Sequence, residues 1–160
     1  MGERMPGYVE LHAHSHYSFL DGASSVDDLV AAAKERGMDA LALTDTNGLY
    51  GSVRFWNAAR EAGLKQIFGV ELRTLDVGHL VLIAKDEIGW RSLCRIVSKS
   101  QLAGEKTKPR ATLALVREDP DGLFALTGCA HGQVPRLMRA GDVDAARESL
   151  ATLAGIFGER

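Results

Sequence analysis

Histidine, carboxylate and cysteine side chains stand at several places where the sequence predicts that a strand ends. In chain order these residues are His12, His14, Asp21, Glu71, His79 and Cys129. Imidazole nitrogen, carboxylate oxygen and thiolate sulfur are together the ligands of transition metals. The carboxyl ends of parallel strands line the functional face of α/β folds, so we expect these side chains to gather there around divalent metal.

His12 and His14 are two residues apart, just after the predicted first strand, Tyr8–Leu11. Alternate side chains of an extended chain point to the same side, so both imidazoles face one way. This spacing suits two ligands of one metal, or of two adjacent metals. The pair taken alone is equally consistent with a polar loop, and the acidic residues and cysteine at other strand ends favour the metal.

Other polar residues have plainer interpretations. His16 is expected to face solvent or to donate to a ligand, and His131 to lie near Cys129 without binding metal. Cys94 has the helical spacing of a small buried apolar residue. Asp45 is expected either to orient a histidine, which is slightly favoured, or to cap the turn after its strand.

The elements that must position these residues alternate between strands and helices. The predicted strands are Tyr8–Leu11, Ala40–Thr44, Gln66–Leu72, His79–Ala84 and Leu123–Thr127. The predicted helices run from a serine cap at Ser24-Ser25 to Gly37, and then over Ser52–Ala62, Ile88–Leu102, Thr112–Glu118, Gln133–Ala140 and Val143–Phe157. This order with short connections predicts parallel strands and right-handed crossovers. Only Arg73–Gly78 separates the third and fourth strands, which therefore form a hairpin.

Composition limits the class of protein. The chain has 160 residues, 46% hydrophobic, with a net charge of −2, which predicts one domain, or a piece of one, and excludes a strongly basic nucleic-acid coat. Two cysteines cannot make a disulfide framework, and no apolar run approaches the roughly 20 residues that span a bilayer. We therefore expect a cytoplasmic protein without membrane contact. The local basic residues Lys99, Lys106, Lys108 and Arg110 either contact a phosphate backbone or are simply solvated.

The ordered motifs resemble one family. Tyr8-Val-Glu-Leu-His-Ala-His14, followed by Ser18-Phe-Leu-Asp-Gly22, is similar to the opening of the PHP (polymerase and histidinol phosphatase) domain, and more narrowly to the N-terminal PHP domain of bacterial DNA polymerase III alpha subunits. The segments that agree further along are Ala42–Asp45, Gly69–Glu71, His79–Lys85, Gly89–Cys94, Lys108–Arg110 and Leu126–Cys129. The short Glu71–His79 connection resembles the error-prone branch of that family.

The resemblance implies a fold and a ligand set. The fold is a distorted, seven-stranded β/α barrel with up to three divalent metal ions at its strand ends. The implied ligands are His12, His14, Asp21, Glu71, His79 and Cys129, with Glu71 as a bridging carboxylate and with Glu71 and Asp21 as the catalytic residues. Thiolate ligation by Cys129 favours zinc over manganese, iron or magnesium.

Two departures from the family pattern weaken the implied site. The family has a histidine after the aspartate of the second strand, where this chain has Thr46, and no Asp-x-His pair occurs in the sequence. Since an alternating α/β chain would supply a strand after the last helix, we expect residues 1–160 to be the N-terminal part of a PHP domain. That domain would be truncated before its last barrel strands and would hold fewer than three metals.

The implied function is metal-dependent phosphoester hydrolysis. In the polymerase branch this is a proofreading 3′–5′ exonuclease, with DNA and the remaining polymerase domains as partners in replication or translesion synthesis. A degenerate domain kept as a scaffold, with metal only as a staple, is a second expectation. The alternative is a standalone small-molecule phosphatase of the histidinol-phosphatase type.

Overall fold

The predicted α/β class is confirmed. The computed structural model describes residues 7–158. Its strands are β1 (Ala40–Leu43), β2 (Lys65–Thr74), β3 (Gly78–Ala84) and β4 (Leu123–Leu126). Its helices are α1 (Val26–Glu35), α2 (Ser52–Glu61), α3 (Glu87–Ala103), α4 (Leu113–Val116), α5 (Gln133–Arg139) and α6 (Val143–Phe157). Within residues 7–158 the sheet has four strands, consistent with an incomplete barrel.

The sheet has the order β1-β2-β3-β4. β1 pairs in parallel with the first half of β2, from Ala40 opposite Lys65 to Leu43 opposite Phe68. β3 pairs antiparallel with β4. The predicted hairpin between β2 and β3 is present, and the Thr74 hydroxyl closes it by donating to the Gly78 carbonyl at 2.7 Å.

The predicted first strand, Tyr8–Leu11, is wrong as a regular strand. A single parallel bridge joins Glu10 to Leu41. A continued ladder would use the His12 N–H, but that group donates to the Glu10 carboxylate at 2.9 Å. The Thr44 N–H then bonds to the Ala13 carbonyl, one residue further along than a regular parallel ladder would place it. The carboxylate of Glu10 therefore interrupts the pairing just before the histidines.

The chain divides into two compact units, which we call unit 1 (Met1–Val70) and unit 2 (Glu71–Arg160). In unit 1, helix α1 begins at Ser25, whose hydroxyl and backbone N–H form a capping box with Asp28, as its serine-rich start predicts. Phe55 of α2 is fully buried among apolar residues of α1 and β1, and its ring lies edge-on to Phe68 at 5.8 Å.

Unit 2 has its own aliphatic interior. Its fully buried side chains include Leu80, Leu82, Leu93, Ile96 and Leu123, contributed by β3, α3 and β4. Among residues 7–158, no helix is long and apolar enough to cross a membrane.

Replacing Phe55 by alanine tests the core of unit 1. We expect a loss of about 3–5 kcal/mol in the free energy of unfolding, because the substitution leaves a cavity around a fully buried ring. Val53→Ala on the same helix is the control, since Val53 is 73% exposed and should change stability by no more than about 0.5 kcal/mol. Urea denaturation of both variants measures the difference, and equal effects would contradict this account of the core.

Candidate metal centre

Glu71, His79 and Cys129 converge in unit 2. Glu71 lies on β2, His79 near the start of β3, and Cys129 in the loop after β4. The Nδ1 atom of His79 is 3.2 Å from the Glu71 Oε2 and 3.3 Å from the Cys129 Sγ. One ligand atom from each residue lies within 4.8 Å of the other two. Glu71 is 1% exposed, whereas His79 and Cys129 are half-buried, so this group of donors reaches from the interior towards the surface.

Two close backbone approaches bring Cys129 to His79. Gly128 has a φ of +83°, and a Cβ at this position would lie 2.2 Å from the His79 carbonyl oxygen. A Cβ on Gly132, at the other end of the loop, would lie 2.2 Å from the Thr127 carbonyl oxygen. Glycine is therefore required at both ends of the loop that carries Cys129.

The unit 2 group fits a divalent transition metal. Zinc binds nitrogen and oxygen at about 2.0–2.2 Å and sulfur at about 2.3 Å, which separates tetrahedral ligand atoms by roughly 3.3–3.7 Å. The distances of 3.2 and 3.3 Å from the His79 Nδ1 are close to that range. Three protein ligands also leave a coordination position for water or substrate, as in catalytic zinc sites.

His12, His14 and Asp21 lie together in unit 1. The two imidazole rings are 5.0 Å apart between centroids and nearly perpendicular. The Nδ1 of His14 is 3.1 Å from the Asp21 Oδ2. The same oxygen accepts a hydrogen bond of 3.3 Å from the hydroxyl of Thr46, which stands where the resemblance implies a histidine. Thr46 therefore contacts a candidate ligand through a hydroxyl that is a poor zinc donor.

Asp45 braces the segment that carries His14. Its carboxylate is buried and accepts bonds from the Ser15 N–H at 2.7 Å, the Ser15 hydroxyl at 2.8 Å and the Ser18 hydroxyl at 2.7 Å. Ser18 in turn accepts from the Thr46 N–H at 2.9 Å. These bonds run to serines rather than to the histidine favoured from the sequence. The sequence carries a signal for only one of these serines, because Ser15 lies between His14 and His16 whereas Ser18 follows Tyr17.

The remaining candidates lie mostly where the plainer interpretations place them. His16 is exposed, with its ring against Tyr17 at 4.5 Å. His131 is also exposed, and its ring is 5.1 Å from that of His79. Cys94 is half-buried on α3, and burial raises the pKa of its thiol.

Ion pairing separates the local basic residues into two groups. Lys99 pairs with Glu118 and Asp119 at 2.9 and 2.7 Å, while Lys106, Lys108 and Arg110 are exposed. Lys99 is therefore neutralised by acidic side chains of the protein itself.

The fold and the donor sets define an α/β domain with candidate metal ligands in each unit. The model of the PHP domain family matches residues 10–160, and the chain belongs to this family. The resemblance predicted from the ordered motifs is thereby confirmed.

Several similar proteins are bacterial DNA polymerases. The error-prone DNA polymerase of Symbiobacterium thermophilum is 40% identical, over 96% of this chain and 16% of that protein. The DNA polymerase III subunit alpha of Borreliella burgdorferi is 33% identical, over 94% of this chain and 14% of that protein. The chain thus spans about one sixth of the length of these relatives. A solved two-domain protein of Bacteroides vulgatus, containing a predicted PHP-like metal-dependent phosphoesterase, is 25% identical, with a TM-score of 0.44 over 49% of this chain and 26% of that one.

Gly128→Ala tests the close approach that positions Cys129. Gly141 has a similar φ of +78° with nothing within 4 Å of its Cβ position, so Gly141→Ala is a matched control. Both variants should lose roughly 1–2 kcal/mol through backbone strain. Gly128→Ala should lose roughly 1–3 kcal/mol more, from the clash with His79, and should weaken metal binding about tenfold or more. Thermal denaturation and zinc titration measure both effects, and indistinguishable variants would refute the requirement.

Proposed function

We propose that this PHP domain binds divalent metal ions and hydrolyses phosphoester bonds. The proposed ligands are His12, His14, Asp21, Glu71, His79 and Cys129, with Glu71 and Asp21 as the catalytic residues. One observation in unit 2 carries the proposal. The Nδ1 atom of the His79 imidazole lies 3.2 Å from the Glu71 carboxylate and 3.3 Å from the Cys129 thiol.

The histidine contacts indicate which nitrogen each ring would offer. His79 directs Nδ1 at Glu71 and Cys129, so Nδ1 is its proposed ligand atom. His14 has Nδ1 against Asp21, which favours the tautomer with the proton on Nδ1 and leaves Nε2 as the electron-pair donor. The carboxylate of Asp21 thereby orients the ring of His14.

The chemistry follows from this donor set. Bound divalent ions lower the pKa of water and stabilise charge on a phosphoryl oxygen. The protein residues hold these ions, and Asp45 fixes the loop that carries His14 and Asp21 through its bonds to Ser15 and Ser18. A rigid ligand frame is needed because small displacements of reacting groups cost large factors in rate.

The names of the relatives favour DNA as the substrate. We propose that the activity is a 3′–5′ exonuclease that removes misincorporated nucleotides, within a cytoplasmic polymerase of the DNA polymerase III alpha type. The error-prone DNA polymerase among the relatives favours the error-prone branch of that type. The partners are DNA and the remaining polymerase domains. A standalone small-molecule phosphatase is less well supported, because both of these relatives are named as polymerases.

The contact between Thr46 and Asp21 favours a second candidate function. A hydroxyl in place of imidazole removes one metal donor from unit 1 and occupies the Asp21 carboxylate at 3.3 Å. The domain would then keep its metal as a structural staple for the polymerase and would not hydrolyse DNA.

Metal content of purified variants tests the ligand assignment. The unaltered protein should contain at least one equivalent of zinc, manganese or iron by elemental analysis. His79→Ala should lose the ion of unit 2, and the double variant His12→Ala, His14→Ala should lose metal held in unit 1. His16→Ala is the control, because His16 is exposed and lies outside the proposed ligands. If the unaltered protein contains no metal, or if all variants have the same metal content, the ligand assignment is wrong.

Nuclease assays separate catalysis from the staple function. The metal-loaded protein should shorten a single-stranded oligonucleotide from its 3′ end. Glu71→Gln should reduce the rate roughly 100-fold or more, since it removes a catalytic carboxylate. Chelation that lowers the melting temperature, without hydrolysis under zinc, manganese, iron or magnesium, would support the staple and contradict the exonuclease.

A further inference from the structure

Arg73 borders the metal group of unit 2. It follows Glu71 by two residues on β2, so both side chains lie on the same face of the strand. Its Nε is 3.8 Å from the Glu71 Oε1, and its side chain is 46% exposed, whereas that of Glu71 is 1% exposed. The guanidinium thus stands beside a buried ligand and also reaches solvent.

The contact with Glu71 is an ion pair rather than a bidentate hydrogen bond. A guanidinium that grips a carboxylate places nitrogen and oxygen about 2.7–2.9 Å apart. The distance of 3.8 Å is well beyond that, so the contact between these two atoms is an ion pair of longer range.

The charges of the site create a need for such a cation. The carboxylate of Glu71 and a thiolate at Cys129 together cancel the charge of one divalent ion. A phosphate ester is itself an anion, so a neutral metal group attracts it less than a group with an additional cation beside it. Guanidinium is the protein cation whose planar N–H groups match two phosphoryl oxygens at once.

Another arginine near the loop has a different task. Arg139 of α5 donates through Nη2 to the carbonyl of Ala130, next to Cys129. It is therefore engaged in holding the loop that carries the thiol.

We propose that Arg73 binds the anionic phosphoryl group of the substrate beside Glu71, His79 and Cys129, and so makes this a site for phosphate esters. The inference rests on the proposed function, because it assigns the substrate contact of the same site. The competing role is that of a counter-ion that only neutralises the buried carboxylate of Glu71.

Binding of inorganic phosphate to the purified protein, with and without zinc, tests the assignment by calorimetry. Arg73→Gln should weaken phosphate binding about tenfold or more. Arg73→Lys keeps the charge but loses the planar fork, so its affinity for phosphate should lie between those of the unaltered protein and Arg73→Gln. Affinity for zinc should stay within about twofold of the unaltered protein. The control is Arg91→Gln, which removes an exposed arginine paired with Glu87 on α3 and should leave phosphate binding unchanged.

Hydrolysis of bis(p-nitrophenyl) phosphate adds a second readout. Arg73→Gln should raise KM by more than it lowers kcat. Unchanged phosphate binding together with altered zinc affinity would overturn the proposal in favour of the counter-ion. Hydrolysis by the unaltered protein with no effect of Arg73→Gln would refute this inference alone. An unaltered protein that binds neither zinc nor phosphate would refute both this inference and the proposed function.

Discussion

The buried carboxylate of Glu71 is the constraint on which unit 2 depends. Val70, Glu71 and Leu72 are all buried, so both faces of β2 are covered at this point. An ionised carboxylate in such a place loses several kcal/mol of hydration unless other groups compensate for it. The Nδ1 atom of His79 lies 3.2 Å from this carboxylate, and the Nε atom of Arg73 lies 3.8 Å from it. The position of Glu71 among apolar neighbours is unfavourable for stability alone, which is why we interpret it in terms of ligand binding.

Unit 1 also buries a carboxylate, but it satisfies it in another way. The oxygens of Asp45 accept three bonds from Ser15 and Ser18, all of 2.7–2.8 Å. Charge-assisted bonds of this kind hold a loop firmly. The two buried acids therefore have different roles: Asp45 accepts bonds from hydroxyl and backbone donors and fixes a loop, whereas Glu71 faces an imidazole and a thiol. The partners of a buried acid, and not its burial, distinguish these roles.

Local signals predicted most of the helices and strands. The serine cap of α1 and the hairpin between β2 and β3 could both be predicted from the sequence, because caps and tight hairpins depend on neighbouring residues. The interruption before His12 was not, because it arises when the Glu10 side chain takes the N–H that strand pairing would use. The serine partners of Asp45 were equally hidden, as they lie 27 and 30 residues away in the chain. The types of the candidate ligands were recognisable from ordered motifs, but the approach of Cys129 to His79 depends on packing across 50 residues.

The backbone of the loop from Gly128 to Gly132 restricts which residues can be substituted in it. Its end residues accept no Cβ, because carbonyl oxygens lie 2.2 Å from where that atom would be. Between them, Cys129 faces His79, while Ala130 and His131 are exposed. Natural variation in this stretch should therefore concentrate at the two exposed positions. An exchange there alters the surface beside the thiol without moving the backbone, so these two positions are where related proteins can diversify.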